Sequence, residues 1–167
     1  NQSINQSINQ SIKFNRDENI NLSRGLPKDT ITDNLLIKGN NLLALHSLKK
    51  EFAGRVKLIY IDPPYNTGAK DWKYNNDYVD GNDSYRHSKW LSFMEKRLKL
   101  AKKLLNPKDS VLIVTIDEKE YLHLGCLLEE IFSGEKIQMV SSAINGKGVS
   151  RDSEFARVNE YIYIIRV

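Results

Sequence analysis

The stretch that decides the fold is LIYIDPPYNTG, residues 58–68. Residues 56–61 are dominated by β-branched and other apolar side chains, a composition typical of a buried strand. Pro63 and Pro64 then fix two φ angles and remove two backbone donors, so the chain cannot continue in the sheet. We therefore predict a strand that ends at a stiff, acceptor-rich turn beginning at Asp62. A turn with no role beyond ending the strand is the alternative explanation of the same residues.

The rest of the chain alternates between strand and helix patterns on either side of this stretch. Apolar segments that predict strands are 56–61, 111–116, 137–143 and 161–167. Segments with helical spacing are 41–50, 88–105 and 118–132, and Asn40 or Asn41 can cap the first of them. The polar segments 66–88 and 145–150 are predicted as loops. Strands that are apolar on both faces and alternate with helices favour an α/β fold with a mostly parallel sheet of the methyltransferase, Rossmann-like type, incomplete in this chain.

The first twelve residues repeat Asn-Gln-Ser-Ile three times. This polar, low-complexity tract, residues 1–12, predicts disorder. The codons AAT, CAA, TCA and ATC spell the four residues, and joined together they repeat the tetranucleotide AATC. Because gain or loss of one such unit shifts the reading frame, we interpret the tract as an on/off genetic switch, with a polar tail as the alternative. Residues 13–32 are predicted as a polar linker, and residues 33–167 as the N-terminal catalytic part of a domain.

Composition sets broad limits on function. The chain has 167 residues, a formal charge of +4, one cysteine and no apolar run long enough for a membrane span. The first residue is Asn1 and no signal peptide is visible, so we expect a piece of a longer, cytoplasmic protein without a membrane partner. The mild basic excess is compatible with a polyanionic partner but does not identify one. We expect Cys126, which lies among leucines, to be buried.

The Asp62-Pro63-Pro64-Tyr65 motif has the chemistry of an amine site. The Asp62 carboxylate and the rigid backbone carbonyls are acceptors that can bond the hydrogens of an exocyclic base amine. Such bonds pull the nitrogen toward tetrahedral geometry and free its lone pair for attack on an electrophilic methyl group, with catalysis by positioning and electrostatics. Tyr65 offers an aromatic face for a base flipped out of the duplex.

These residues resemble the catalytic motif of adenine-specific DNA methyltransferases, most closely the modification subunit of type III restriction–modification systems. The resemblance covers residues 13–167. Five blocks match in order: IKGNNLLALHSL (37–48), LIYIDPPYNTG (58–68), WLSFMEKRLKLAKKLL (90–105), IVTIDEKE (113–120) and NEYIYIIRV (159–167).

The resemblance implies methyl transfer from S-adenosylmethionine to the 6-amino group of adenine in DNA. Asp62 and the Pro63 carbonyl would accept from the target amine, with Pro64 stiffening the motif and Tyr65 stacking on the base. It also implies phase-variable expression. Candidate partners are double-stranded DNA with a flipped adenine, a restriction subunit and a second copy in the full-length protein.

Two departures from the family pattern limit these expectations. The glycine-rich cofactor motif of F-x-G-x-G type does not occur before Val167, and the target-recognition region is missing too. We therefore expect the chain alone to be inactive, with exposed sheet edges and marginal stability. The family often has Gly-Asp where this chain has Gly39-Asn40; the Asn40 amide oxygen still accepts a hydrogen bond, which leaves Asn40 as the candidate cofactor contact.

The remaining polar residues have two explanations each. Asn66, Lys70, Lys73, Arg86 and His87 are candidate DNA contacts, with solvated loop charge as the alternative for the basic residues. Asp117 and Glu120 can hydrogen-bond a loop near the site, and a helix cap explains Asp117 equally well. Trp90 and Met94 are predicted core residues. No group of residues has metal-ligand spacing along the chain, so we predict no metal.

Three other functions stay open. Amino methylation of cytosine is one, although cytosine-directed relatives often carry Ser at the position of Asp62. RNA guanine methyltransferases also use D-P-P with an aromatic residue. A non-catalytic remnant made when the frame shifts is the alternative from another class.

Overall fold

The computed structural model describes residues 18–30, 34–74, 77–144, 146, 148–151 and 154–167. The chain divides into two compact units, residues 1–50 and residues 51–167. The repeat tract lies outside the described residues. The predicted division into repeat, linker and a domain from residue 33 therefore stays a prediction.

The first unit contains a short helix and the start of a longer one. Helix α1 (Glu18–Ser23) lies inside the predicted linker. Its Asn21 is buried and donates to the carbonyls of Lys28 at 2.9 Å and Thr30 at 2.7 Å, so this part of the linker is folded. Helix α2 (Asn41–Phe52) begins at a cap, as predicted, because Asn40 Oδ1 accepts from the Leu42 N–H at 3.0 Å.

The second unit is built on a four-stranded sheet with two helices. Its elements are β1 (Leu58–Ile61), β2 (Ala69–Tyr74), β3 (Asp77–Asp80), α3 (Arg86–Leu104), β4 (Val111–Ile116), α4 (Tyr121–Ile131), β5 (Lys136–Ala143), β6 (Val149–Arg151), β7 (Glu154–Arg157) and β8 (Asn159–Arg166). The order in the sheet is β1-β4-β8-β5. Strands β1 and β4 are parallel, while β8 runs antiparallel to both of its neighbours. The predicted α/β class is confirmed, with three strands in one direction and β8 opposed to them.

Helices α3 and α4 supply the apolar side chains that cover one face of the sheet. Strand β4 alternates between buried and half-buried residues, which is the pattern of a central strand. The largest fully buried side chains of the helices and the residues that follow them are Trp90, Met94, Leu98, Leu124, Leu128 and Phe132. Trp90 and Met94 are therefore core residues, as predicted.

Two predicted loops contain short antiparallel ribbons. Segment 66–88 includes the β2–β3 hairpin, which buries Trp72 and Val79 and packs the Trp72 ring against Phe93 of α3 at 5.4 Å between centroids. The loop prediction was wrong because polar residues dominate the hairpin and only a few side chains face the core. Strands β6 and β7 form the second ribbon, within and just after segment 145–150.

Cys126 is exposed, which corrects the expectation that it would be buried. It lies on α4 opposite the stripe formed by Leu124 and Leu128, because residues two apart on a helix point in different directions. The buried leucines Leu124 and Leu128 therefore point away from it.

Strand β1 lies at the edge of the sheet and exposes its outer side chains. Leu58 and Tyr60 are 59% and 61% exposed, whereas Ile59 and Ile61 pack against the core. This agrees with the expected exposed, apolar sheet edge. Among the described residues, no helix combines the length and the apolarity needed to cross a bilayer.

Candidate active site

Asp62 lies at the carboxyl end of β1 and is held from the neighbouring strand. Because Ile61 pairs with Val114 in the parallel register, Asp62 comes next to Thr115 of β4. The Thr115 hydroxyl donates to Asp62 Oδ1 at 2.8 Å and lies 3.4 Å from the Ile61 carbonyl oxygen. Asp62 is exposed, so a donor from outside can reach its carboxylate. The position at the strand ends is where ligands bind in open α/β sheets.

The two proline carbonyls have different environments. The indole Nε1 of Trp90 in α3 donates to the Pro64 carbonyl oxygen at 2.7 Å, which anchors this residue to the helix. Within the described residues, the Pro63 carbonyl oxygen accepts no hydrogen bond. Pro63 is a buried residue, and its carbonyl keeps its acceptor capacity next to Asp62.

Tyr65 is half-buried next to the two carboxylates of Asp62 and Glu160. Burial raises the pKa of the Tyr65 phenol, and the negative charges of Asp62 and Glu160 raise the pKa further. A side-chain hydrogen bond with Thr115 offsets part of that rise in pKa, and a side-chain hydrogen bond with Asp62 adds to it. The Tyr65 side chain is thus kept as a neutral aromatic ring, the form suited to stacking on a base.

Asn66 is buried and its side chain is bonded on every side to the protein. Its φ of +58° lies in the left-handed region, which Asn enters more readily than most residues. Trp72 Nε1 donates to Asn66 Oδ1 at 3.1 Å, and Asn66 Nδ2 donates to the Arg86 carbonyl at 3.4 Å and to Glu120 Oε1. This amide connects the end of the motif to the hairpin, to α3 and to the turn before α4.

Glu120 is fully buried in that turn and lies between two histidines. His87 Nδ1 is 2.7 Å from Glu120 Oε1, and His123 Nδ1 is 3.1 Å from Glu120 Oε2. The potential ligand atoms of the three residues lie within 4.8 Å of one another, which is close enough for a divalent cation. Arg86 Nε, however, donates to His87 Nε2 at 3.2 Å, so the His87 proton is on Nδ1 and is directed at Glu120. The hydrogen bonding therefore favours a protein network over a metal site, and the absence of a metal stays a prediction.

Comparison with known proteins decides the family. Residues 56–166 match the DNA methylase family, which is more than half of the chain and includes all four strands of the main sheet. The chain belongs to the DNA methylase family. The resemblance predicted from the motif blocks is thereby confirmed at the level of the family.

The chain is similar to several curated proteins. The chain is 46% identical over 139 residues to the probable type III restriction-modification enzyme HindVI Mod subunit of Haemophilus influenzae, covering 77% of this chain and 18% of the relative. It is 34% identical over 157 residues to the type III restriction-modification enzyme EcoPI Mod subunit of Escherichia phage P1, covering 80% and 24%. It is 36% identical over 157 residues to the type II methyltransferase M.KpnI of Klebsiella pneumoniae, covering 91% and 36%. The chain thus spans between 18% and 36% of the length of these relatives.

Three of the candidate DNA contacts of this methylase are engaged inside the protein. Asn66 is 1% exposed, and its amide is satisfied by the bonds described above. Arg86 donates from its guanidinium to the Gly81 carbonyl at 2.9 Å and to His87, and His87 in turn faces Glu120. A structural role accounts for these contacts, and binding to DNA stays a prediction for all three.

The other candidate residues are Lys73, Lys70 and Asn40. Lys73 is exposed, with its ammonium 4.4 Å from the centre of the Tyr78 ring. The side chain of Lys70 lies outside the part of the chain that the structure describes. Asn40 uses one lone pair of Oδ1 for the helix cap and keeps the second, together with its amide hydrogens. Neither contact with DNA nor contact with a cofactor is tested for these residues.

Sequence reasoning found only part of the machinery around the motif. It predicted that Glu120 could bond a loop near the site, and Glu120 does bond Asn66. The helix-cap interpretation of Asp117 was wrong, because the helix begins at Tyr121 with Glu120 at its N-cap position; Asp117 Oδ1 instead accepts from the Lys119 N–H at 2.9 Å in the turn before the helix. Thr115 was missed, since a threonine in an apolar strand has the same sequence signal as any β-branched strand residue. The strand register is what gives it a role.

Proposed function

We propose that this chain carries the catalytic motif of a DNA methyltransferase that modifies the 6-amino group of adenine. The observation that carries the proposal is the pair of acceptors at the end of β1. Thr115 fixes the Asp62 carboxylate, and the Pro63 carbonyl beside it has no hydrogen bond from the described part of the protein. This is an arrangement for two N–H donors on one nitrogen.

The reaction follows from these acceptors. Hydrogen bonds from the target amine to Asp62 and Pro63 oppose delocalisation of its lone pair into the ring. The nitrogen then forms a bond to a methyl carbon while the carbon–sulfur bond of the donor breaks, and the amine loses one proton, for which the Asp62 carboxylate is an acceptor. Rate enhancement comes from orientation and from fixed acceptors, not from a covalent enzyme adduct.

In this proposal Tyr65 contacts the ring of the base and not its amine. Its ring is neutral and half-buried between Asp62 and Glu160. An adenine flipped out of double-stranded DNA would stack on it, since the amine of a paired base is out of reach. The carboxylate at position 62 favours adenine over cytosine, because cytosine-directed relatives often carry serine there.

S-adenosylmethionine supplies the electrophilic methyl group when it is bound. Among the chain's own residues, Asn40 has a fitting donor and acceptor set, because its exposed amide retains one acceptor lone pair and both N–H donors for an adenosine. The main cofactor contacts and the choice of DNA sequence are assigned to parts of a longer protein. That assignment is compatible with the share of its relatives that this chain spans.

The biological setting is part of the same proposal. Relatives named as Mod subunits of type III restriction-modification enzymes support a restriction–modification system with a restriction subunit as partner. A second copy of the full-length protein is a further partner in this proposal. The Asn-Gln-Ser-Ile tract supports phase-variable expression. Sequencing the gene tests this last point: an uninterrupted AATC repeat whose length differs between isolates is expected, and mixed codons would contradict the switch.

Mass spectrometry of DNA tests the reaction. The longest reading frame that contains this chain is expressed in cells without endogenous adenine methylation, as wild type, as Asp62→Asn and as Asp109→Asn. Asp109 is the matched control, because it is exposed and lies just before β4, at the end of the sheet opposite to Asp62. We expect 6-methyladenine from wild type and Asp109→Asn and none from Asp62→Asn. The appearance of 4-methylcytosine instead would reassign the target base. No methylated base from a soluble, folded wild type would favour the non-catalytic remnant, and methylation of RNA alone would favour the RNA enzyme.

A further inference from the structure

The turn before α4 places a buried carboxylate next to the catalytic segment. Glu120 is 0% exposed and has three nitrogen atoms around it, from Asn66, His87 and His123. Burying a charged carboxylate costs several kcal/mol unless hydrogen bonds and charges around it compensate. A residue of this kind is more costly than an apolar one of the same size, so its contacts point to a role beyond packing.

The contact with Asn66 reaches the backbone directly after Tyr65. Asn66 is the one non-glycine residue with a positive φ among the described residues, and the left-handed conformation is unfavourable for L-residues in general. Its amide is held by Trp72, by the Arg86 carbonyl and by Glu120, so the side-chain bonds stabilise a backbone conformation that the residue would otherwise leave. Strained backbone maintained by surrounding contacts is typical of functional segments.

Tyr65 is therefore flanked by two anchored residues. On one side, the Pro64 carbonyl is bonded to Trp90 of α3. On the other side, Asn66 is bonded to Glu120 in the turn between β4 and α4. These anchors fix the backbone on both sides of Tyr65, and together with the side-chain hydrogen bonds of Tyr65 with Thr115 and Asp62 they set the orientation of its ring.

We propose that Glu120 is a positioning residue for the catalytic segment. It acts through Asn66, with His87 as a second ligand of the same carboxylate oxygen, and it keeps the Tyr65 ring in the orientation that receives the flipped base. This inference rests on the proposed function, since it assigns Tyr65 the stacking role. Glu120 itself touches neither the base nor the methyl donor.

Three substitutions distinguish the effect of the Asn66–Glu120 hydrogen bond from the effect of the positive φ at residue 66. Asn66→Gly keeps the positive φ without steric cost but removes the amide. Glu120→Ala removes the acceptor, whereas Glu120→Gln retains one oxygen that can accept from both Asn66 and His87. Matched controls are Asn82→Gly in the exposed end of the hairpin and Glu129→Ala on the exposed side of α4.

The kinetic test uses the longest reading frame containing this chain, with each variant assayed at a temperature where its thermal melt shows it folded. We expect Asn66→Gly and Glu120→Ala to lower kcat by about 10-fold to 100-fold, with KM for DNA within about threefold of wild type. Glu120→Gln and the two controls should stay within about threefold in kcat. The double variant of Asn66→Gly and Glu120→Ala should be no slower than the slower single variant, because both act through one link.

A spectroscopic test does not depend on activity. The protein is labelled with 3-fluorotyrosine, and the Tyr65 signal in the ¹⁹F spectrum is assigned by its loss in Tyr65→Phe. We expect Asn66→Gly and Glu120→Ala to shift or broaden this signal and the controls to leave it unchanged.

Several results would overturn the inference. An unchanged Tyr65 signal in both variants would do so whether or not the wild type methylates DNA, and so would fully additive losses in kcat. Zn²⁺ bound by the wild type at one equivalent and lost in His123→Ala would make the cluster a metal site instead. An inactive wild type whose Tyr65 signal still responds to Glu120→Ala would refute the proposed function and leave the positioning link standing.

Discussion

Replacing Thr115 by valine removes one hydrogen bond from the catalytic carboxylate while keeping the shape of the side chain. The Thr115 hydroxyl is 2.8 Å from Asp62 Oδ1, and the Thr115 backbone pairs with Ile162 of β8 in the centre of the sheet. Valine has the same branching at Cβ and suits a strand equally well. The change in the free energy of unfolding should therefore stay within about 1 kcal/mol, the range of a conservative, half-buried substitution.

The catalytic effect follows from the strength of that bond. A hydrogen bond to a charged group contributes about 1.5–3 kcal/mol, and Asp62 is exposed, so the lower end applies. Since about 1.4 kcal/mol corresponds to a factor of ten in rate, we expect kcat/KM to fall about 10-fold in Thr115→Val. Thr115→Ser keeps the donor and should stay within about threefold of wild type.

The assay is transfer of a radiolabelled methyl group to DNA by the longest reading frame that contains this chain. Denaturant unfolding of the same samples checks that stability is preserved. If Thr115→Val keeps wild-type kcat/KM while Asp62→Asn is inactive, the hydroxyl does not orient the carboxylate and the reasoning fails. A loss of activity in Thr115→Ser as large as in Thr115→Val would equally show that the donor is not what matters.

Three further outcomes follow from the same structure. Gly68→Ala should lose about 1–3 kcal/mol more stability in denaturant unfolding than the control Gly134→Ala. A Cβ at Gly68 would lie 2.7 Å from the facing backbone, whereas Gly134 has open space around it at a similar φ. Equal losses would contradict the close approach at Gly68. Trp90→Phe should lose about 2–4 kcal/mol, since it leaves a void and removes the donor to the Pro64 carbonyl, and a loss below 1 kcal/mol would argue against that bond. Because folding raises the pKa of Tyr65, its contribution to stability is fully present below the ordinary tyrosine pKa near 10. This contribution is lost as the pH rises through the pKa of Tyr65 in the folded protein. The free energy of unfolding, measured between about pH 9 and pH 11.5, should thus fall less steeply with pH in Tyr65→Phe than in wild type. Parallel curves would show that Tyr65 makes no pH-dependent contribution to stability.

The long elements could be predicted from the sequence because their patterns are strong and local. Strand β4 was predicted with its observed bounds, and α3 was predicted two residues late at its start and one residue late at its end. The β2–β3 hairpin was not predicted, because its strands are short and polar and turn-forming residues surround Trp72 and Val79. Its folding depends on Trp72 reaching Phe93 and Asn66, and a local pattern cannot show that contact.

The site likewise contains residues that local sequence patterns predict and residues that depend on long-range contacts. Asp62 and Tyr65 could be predicted because strand and motif are contiguous in the sequence. Their supporting residues come from other elements: Trp90 is 26 positions from the carbonyl that it bonds, and Thr115 is 53 positions from Asp62. Glu120 is 54 positions from Asn66. Which of many threonines, tryptophans and glutamates would face the motif depends on strand register and helix packing, which the sequence does not state locally.

In the motif, residues that are hydrogen-bonded to other elements alternate with residues that are proposed to contact the substrate. Asp62, Pro64 and Asn66 are bonded to β4, to α3 and to the turn before α4, respectively. The carbonyl of Pro63 and the ring of Tyr65 lie between them and, together with the Asp62 carboxylate, are the groups proposed to contact a substrate. Because a stretch of five residues is held at every second position by a different element, a shift of any one element tilts the groups between the anchors. Substitutions that loosen an anchor should therefore lower kcat before they weaken DNA binding, whereas Tyr65→Ala should lower both kcat and stability, because its half-buried ring packs against the core.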